Sequence, residues 1–281
     1  MSNFAGELVA VARRIAGALR PPPVARVVLP PPEPGPDQHG SFCVVQLADG
    51  STGMGYVLLG DTRERLRAFE PASSLAGRGA LELAEGFAGE DPAARSVGLA
   101  AINALSRHLF DRAGFAPDFA ANSLGSLVLG PGDRLGMVGF FPPLVRRARE
   151  EAIPLTVLEL KEELVQEAPG LTVTLDPERL AGCGKIVCTS TALLNDSLDG
   201  LLARARGCSE FVIIGPSAGF VPDPLFARGV TGVGGAWVKD PPGLVERAAR
   251  GERWGDASRK FSLRNDASWP GLDELVRRGT R

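Results

Sequence analysis

From Leu135 to Lys239 the chain repeats one unit: a short apolar run, a crest of small or polar residues, then a helical segment. The runs are Leu135–Gly139, Leu155–Glu159, Lys185–Thr189, Phe211–Gly215 and Val233–Lys239. The helical segments are Pro143–Glu151, Thr191–Arg206, Pro224–Arg228 and Gly243–Arg250. Strands that are apolar on both faces and alternate with helices need cover on both sides. They predict an α/β fold: a Rossmann-like parallel sheet with helices on both faces and right-handed crossovers. Pro142 and Pro143 suit the first helix start, because the first N–H groups of a helix have no intrahelical partner to lose.

The preceding residues follow another pattern. Leu8–Ala16 has helical spacing interrupted by Arg13 and Arg14, which predicts an amphipathic helix and not an export signal. The proline-crowded stretch from Pro21 to Pro36 surrounds one predicted strand, Val24–Leu29. Ser41–Leu47 and Thr52–Leu59 flank Asp49-Gly50, a hairpin signal. Two helices follow, Leu75–Phe87 and Pro92–Leu109, with the Ala and Gly content of elements that pack closely on a hairpin. The expected division is a small α+β domain over residues 1–115 and the Rossmann-like domain over 116–281. Phe115–Leu129 connects them, and Leu272, Leu275 and Val276 mark a short closing helix.

Composition narrows the function classes. A length of 281 residues with 44% apolar content supports a full core, and the net charge of −2 with scattered basic residues gives no nucleic-acid footprint. No apolar run reaches the roughly 18–20 residues of a membrane span. Cys43, Cys183, Cys188 and Cys208 are few for the length and read as reduced thiols of a cytoplasmic protein. His39 and His108 form no H-x-x-x-H, and the chain has no C-x-x-C, so the spacing does not predict a closed zinc site. There is no G-x-G-x-x-G fingerprint.

Ligands of open parallel sheets gather at the carboxyl ends of the strands, where the strand order reverses. The candidates there are Gly139 and Phe140, Glu159, Thr189-Ser190-Thr191, and Gly215-Pro216-Ser217. Pro142 and Pro143 remove two donors that a phosphate would need at the first crest. Of Phe140 and Phe141, one is expected under the helix and the other on the cleft wall, the alternative being that both are core. At the third crest, Thr189 and Ser190 can bind an anion with Asn195 one turn on, or Ser190 or Thr191 simply caps the helix. Glu159 could ligate a cation or accept a ligand hydroxyl, or be a charge meeting solvent at a strand end.

Four segments carry a resemblance: Ser96–Leu105, Gly136–Val145, Thr189–Asn195 and Ile213–Ser217. In this order they resemble the putative heavy-metal chelation family, domain of unknown function 364. The sequence departs from the family's pattern at Asp196-Ser197 and Ala218-Gly219. The resemblance implies an N-terminal unit similar to the enolase N-terminal domain, a Rossmann-like domain after it, and a divalent metal ion as cofactor. It also implies a place in metal homeostasis or anaerobic corrinoid metabolism. The expected function is binding of a small anionic ligand or metal chelate between the two domains. Asn103 would contribute from the small domain and Gly139, Phe140, Glu159, Thr189, Ser190, Asn195, Gly215 and Ser217 from the sheet. The alternative is an enzyme using the same cleft with a nucleotide-like cofactor or a metal, and Glu159 as its titratable group. Assembly into a homo-oligomer is left open.

Overall fold

The structure, a computed structural model, describes residues 3–31, 42–57, 59–69, 72–119 and 127–281; His39 lies outside them. The first helix, α1 (Phe4–Leu19), is capped by Asn3, whose side chain accepts from the Gly6 amide at 2.8 Å. Strands β1 (Val24–Val28), β2 (Phe42–Leu47) and β3 (Thr52–Tyr56) form an antiparallel meander, with the expected hairpin between the last two. Then come α2 (Thr62–Ala68), α3 (Ala80–Glu85) and α4 (Pro92–Arg112). The single helix expected over Leu75–Phe87 is in fact broken: Leu75 ends a 3-10 turn, and α3 begins only at Ala80. Gly77 between them has φ +84°, which no right-handed helix accommodates.

The second part supplies β4 (Leu135–Val138), α5 (Pro142–Glu150), β5 (Leu155–Leu158), β6 (Gln166–Ala168) and β7 (Leu171–Thr174). It continues with β8 (Lys185–Thr189), α6 (Leu198–Arg204), β9 (Glu210–Ile214), α7 (Asp223–Phe226) and β10 (Gly232–Val238). The last elements are α8 (Pro241–Arg250), β11 (Ser258–Arg264) and α9 (Leu272–Gly279). These strands build one sheet in the order β11-β10-β9-β8-β4-β5-β7-β6. All pairs from β10 to β7 are parallel, and β11 and β6 close the two edges antiparallel. The parallel strands run outward from β4 in both directions, which is the Rossmann order, and the reversal falls between β4 and β8.

The expected helix Thr191–Arg206 is also two pieces. A 3-10 turn at Ser190–Leu193 and α6 are separated by Asp196 at φ +56°. β6, β7 and β11 were not expected. β6 and β7 form a hairpin around Pro169-Gly170, and β11 is an edge strand whose Arg259 and Lys260 are exposed, the usual protection of a sheet edge.

Helix α4 is the centre of the packing. Gly53 and Gly55 on β3 let its backbone approach: a Cβ at Gly53 would lie 2.2 Å from the Ala100 carbonyl oxygen, and one at Gly55 2.0 Å from that of Ser96. One hydrophobic cluster joins α1 and α4 to the strands of the large sheet, including Leu8, Ile102, Ile186, Ile213 and Val233. The opposite sheet face buries Met137, Val157, Val187 and Val212 under Leu144 and Val145 of α5. Helix α8 packs instead on the outer face of the meander, where Leu244 and Val245 meet Phe42 and Val44. Helices thus cover both faces of the meander and, as far as β9, both faces of the large sheet. Among the described residues, no helix is long and apolar enough to cross a membrane.

Candidate functional site

A cleft of about 590 Å³ opens at the carboxyl ends of β4, β5, β8 and β9, at the reversal of strand order. Its far wall comes from the meander, through Phe42 and Tyr56, whose rings meet edge-on at 5.6 Å. The crest after β4 starts with Gly139 at φ +84°, where a Cβ would stand 3.2 Å from the Thr189 methyl carbon. A glycine there satisfies the left-handed backbone and lets the two crests flanking the reversal touch.

Glu159 is built into this wall. Its Oε2 accepts from the Phe140 amide and its Oε1 from the Leu160 amide, each at 2.8 Å. The carboxylate therefore ties the β4 crest to the β5 crest and is not simply a solvated strand end. Each oxygen keeps a second lone pair for a ligand hydroxyl. Tyr56 is pushed above its ordinary pKa by burial and, secondarily, by the negative Glu159.

Capping at the β8 crest falls to neither Ser190 nor Thr191. The Thr189 hydroxyl accepts from the Thr191 amide at 3.3 Å and from the Thr191 hydroxyl at 3.1 Å. That amide is thus occupied, contrary to the free crest amides an anion site would use. Ser190 is buried against the next crest, where a Cβ at Gly215 would fall 2.1 Å from its Oγ. Asn195 lines the cleft, but its Oδ1 accepts from the Ser197 amide (3.3 Å) and hydroxyl (2.7 Å), leaving the amide NH2 as the end to offer a ligand.

Asn103 and Ser217 do not line this cleft. They lie beneath it and fasten its walls together. The Asn103 NH2 donates to the Met54 carbonyl at 2.7 Å and to the Ser217 carbonyl at 2.9 Å, and the Tyr56 amide donates to the Ser217 hydroxyl at 3.0 Å. Sequence reasoning also passed over Arg95, which is 8% exposed and donates to the Gly89 and Leu194 carbonyls and, at 2.6 Å, to Asp196. It pins the turn after the β8 crest to α4; its only signal was an arginine inside the Ala-rich start of a buried helix. Tyr56 was missed too, although it is the chain's one tyrosine and ends a hairpin strand. Lys161 stands exposed at the cleft mouth with no ion-pair partner among the described residues.

Neither phenylalanine of the first crest is fully buried: both Phe140 and Phe141 are half-buried, pack against the α5 cluster and line the cleft. His108 is far from it in role. The ring Nδ1 pairs with Asp49 of the hairpin turn at 2.5 Å. The four cysteines are free thiols. Among the described residues, no three His, Cys, Asp or Glu side chains converge as a metal would require. The donors at the cleft, one carboxylate already holding two amides and several hydroxyls, do not fit a bare divalent ion.

Comparison with known proteins gives consistent results. Over 165 residues the chain is 28% identical to an uncharacterized protein of Methanocaldococcus jannaschii, covering 57% of this chain and 60% of that protein, so it spans three fifths of that relative's length. It resembles a crystal structure of a DUF364-family protein of unknown function from Pyrococcus horikoshii, with TM-score 0.69 and 19% identity over 93% of this chain and 99% of that one. A second such structure, from Desulfitobacterium hafniense, matches with TM-score 0.63 and 20% identity over 91% and 98% of the two chains. At these identities the likeness shows the fold. Residues 40–106 match the family DUF4213 and residues 122–265 the family DUF364, both described as "Putative heavy-metal chelation". On the second of these matches, the chain belongs to the DUF364 family.

Proposed function

We propose that the cleft binds a small anionic organic ligand or a metal that arrives already chelated. The observation that carries this reading is the cleft's makeup: aromatic walls from both halves and, among the described residues, a Lys161 without an ion-pair partner and no three-donor metal cluster. A metal bound there would take its donor atoms from its own chelator. Gly139, Phe140, Thr189, Ser190 and Gly215 give the floor its shape; the spare lone pairs of Glu159 and the Asn195 NH2 give polar contacts. Asn103 and Ser217 hold the walls at a fixed spacing. The reading includes a cytoplasmic protein of metal homeostasis or anaerobic corrinoid metabolism. Catalysis is less well supported, since burial drives Tyr56 further from neutrality and Glu159 is engaged by two amides.

Calorimetry with cobalt(II) chloride, cobalt(II) citrate and citrate alone tests the proposal. The complex or the free acid should bind, and Lys161→Gln should weaken that binding about tenfold, the value of a charge-assisted contact. Stoichiometric micromolar binding of the bare ion, or no effect of Lys161→Gln, would sink it.

A further inference from the structure

Next to the cleft, across Phe141 and the Gly215-Pro216 turn that both spaces share, lies a second cavity of about 400 Å³. Its floor is the sheet beyond β9, on the face where α5 covers β4, β5, β8 and β9 but where no residue of β10 or β11 joins the α5 cluster. The register makes that floor flat. In the antiparallel pair, Gly234 faces Ser262, Ala236 faces Lys260, and Val238 faces Ser258. Gly235, Trp237 and Phe261 alternate with these and turn to the opposite face, where Trp237 and Phe261 join the α4 core. Of the first set, Gly234, Ala236, Ser258 and Lys260 line the cavity, while Val238 is buried in the α8 cluster and Ser262 is buried. The walls are Phe141, Leu144 and Ile214 on one side and Trp254 on the other. The Trp254 indole is fixed by an edge-on contact with Phe42 at 5.4 Å.

A flat floor between aromatic and aliphatic walls is the shape of a slot for a planar ring. Charge supplies the second half of the recognition. Alternation brings Lys260 to this face, and Lys260 has no ion-pair partner among the described residues. Arg259 points the other way, with its guanidinium 3.2 Å from the Phe119 ring centre. No carboxylate side chain is among the described residues lining the cavity. An exposed cation facing an apolar slot free of acids is complementary to an acid carried on a ring. We propose that this cavity is a second binding site, for a planar aromatic carboxylate, with the ring on the Gly234–Ala236 floor against Trp254 and the carboxylate at Lys260. It uses none of Glu159, Thr189, Asn195 or Lys161, so it stands or falls apart from the function proposed for the cleft.

Calorimetric titration of the full chain with 2-naphthoate and with neutral 2-naphthamide tests it. The wild type should bind the acid about tenfold more tightly than the amide, as expected for one hydrogen bond to a charged group. Lys260→Gln should erase that preference, Lys260→Arg should restore it, and Lys161→Gln at the cleft mouth should leave both affinities unchanged. Ala236→Phe, which raises the floor, should abolish binding of both probes. If that variant fails to fold, judged by its thermal midpoint, the exposed Lys260 pair decides alone. The proposal is overturned if the wild type binds neither probe at millimolar concentration. It is equally overturned if the preference for the acid survives Lys260→Gln, or if Lys161→Gln removes it.

Discussion

Replacing Asn103 by leucine isolates what holds the cleft walls together. The side chains share a branched shape and heavy-atom count, leucine being the bulkier, so the substitution opens no cavity and its main cost is polar. It removes two donors, at 2.7 Å to the Met54 carbonyl and 2.9 Å to the Ser217 carbonyl, at a residue only 3% exposed. Each carbonyl left unpaired in the interior costs about 1–3 kcal/mol, so the two together cost about 2–6 kcal/mol. Against this, the Asn103 Oδ1 is buried with no partner among the described residues, and deleting it returns part of the cost. The expected net destabilisation is about 2–3 kcal/mol, a fall in thermal midpoint of roughly 4–10 °C for a chain of this size. Urea unfolding followed by tryptophan emission and by far-UV circular dichroism measures it. All three tryptophans lie beyond residue 116 while the helices span the chain, so the two signals report different parts. Because one cluster runs through both halves, the two curves should coincide in the wild type and in the variant. A loss below about 0.5 kcal/mol would show that the clamp does not act as described. Separated transitions in the wild type would show that the shared core does not couple the halves.

Gly55→Ala should cost about 3 kcal/mol or more, an overpacking penalty at the high end, because its methyl would meet the Ser96 carbonyl of α4 at 2.0 Å; chemical denaturation reads it directly. Burial pushes the Cys43 and Cys188 thiols up to about 12, so at pH 8 a disulfide reagent should modify half-buried Cys208 first and those two only after unfolding, as peptide mapping will show. Asp49 lies below its ordinary pKa: burial opposes this, but bonds from the Ser51 amide and the His108 ring outweigh it. Its stabilising share is then present above about pH 4 and lost as pH falls through the lower folded value, so Asp49→Asn should melt below wild type at pH 7 and approach it near pH 2. A constant gap in melting temperature across that range would refute this.

The alternation of apolar runs and helices made the parallel sheet legible, because strands buried on both faces leave a signal that surface chemistry cannot disguise. Every expected strand of the second half is present within a residue or so of its expected bounds. The edge strands were not legible for the opposite reason. Ser258–Arg264 carries Arg259, Lys260 and Arg264, and an edge strand is kept soluble by the residues that hide its pattern. Helices were overextended where a single positive φ, at Gly77 or Asp196, ended them. At the site, the sequence pointed to crests that line one cleft in the structure, but not to what each side chain does there. Glu159, Thr189 and Asn195 spend their oxygens on backbone amides one or two residues away or on the neighbouring crest, and such partnerships depend on register that only the fold supplies. Tyr56 and Arg95 come from elements distant in sequence, and periodicity says nothing about which distant element reaches a strand end.

Helix α4 has a consequence for how molecules come and go. Buried along nearly all its length, it carries Asn103 and Arg95, which grip the two sides of the cleft, and its backbone is pressed onto β3 through Gly53 and Gly55. Proteins that swallow a ligand by swinging two lobes together need a thin, yielding junction. This one has a rod through its middle. A ligand of the proposed site would therefore enter a mouth already open and be held by a mould already cast, its residence time set by how well it fits.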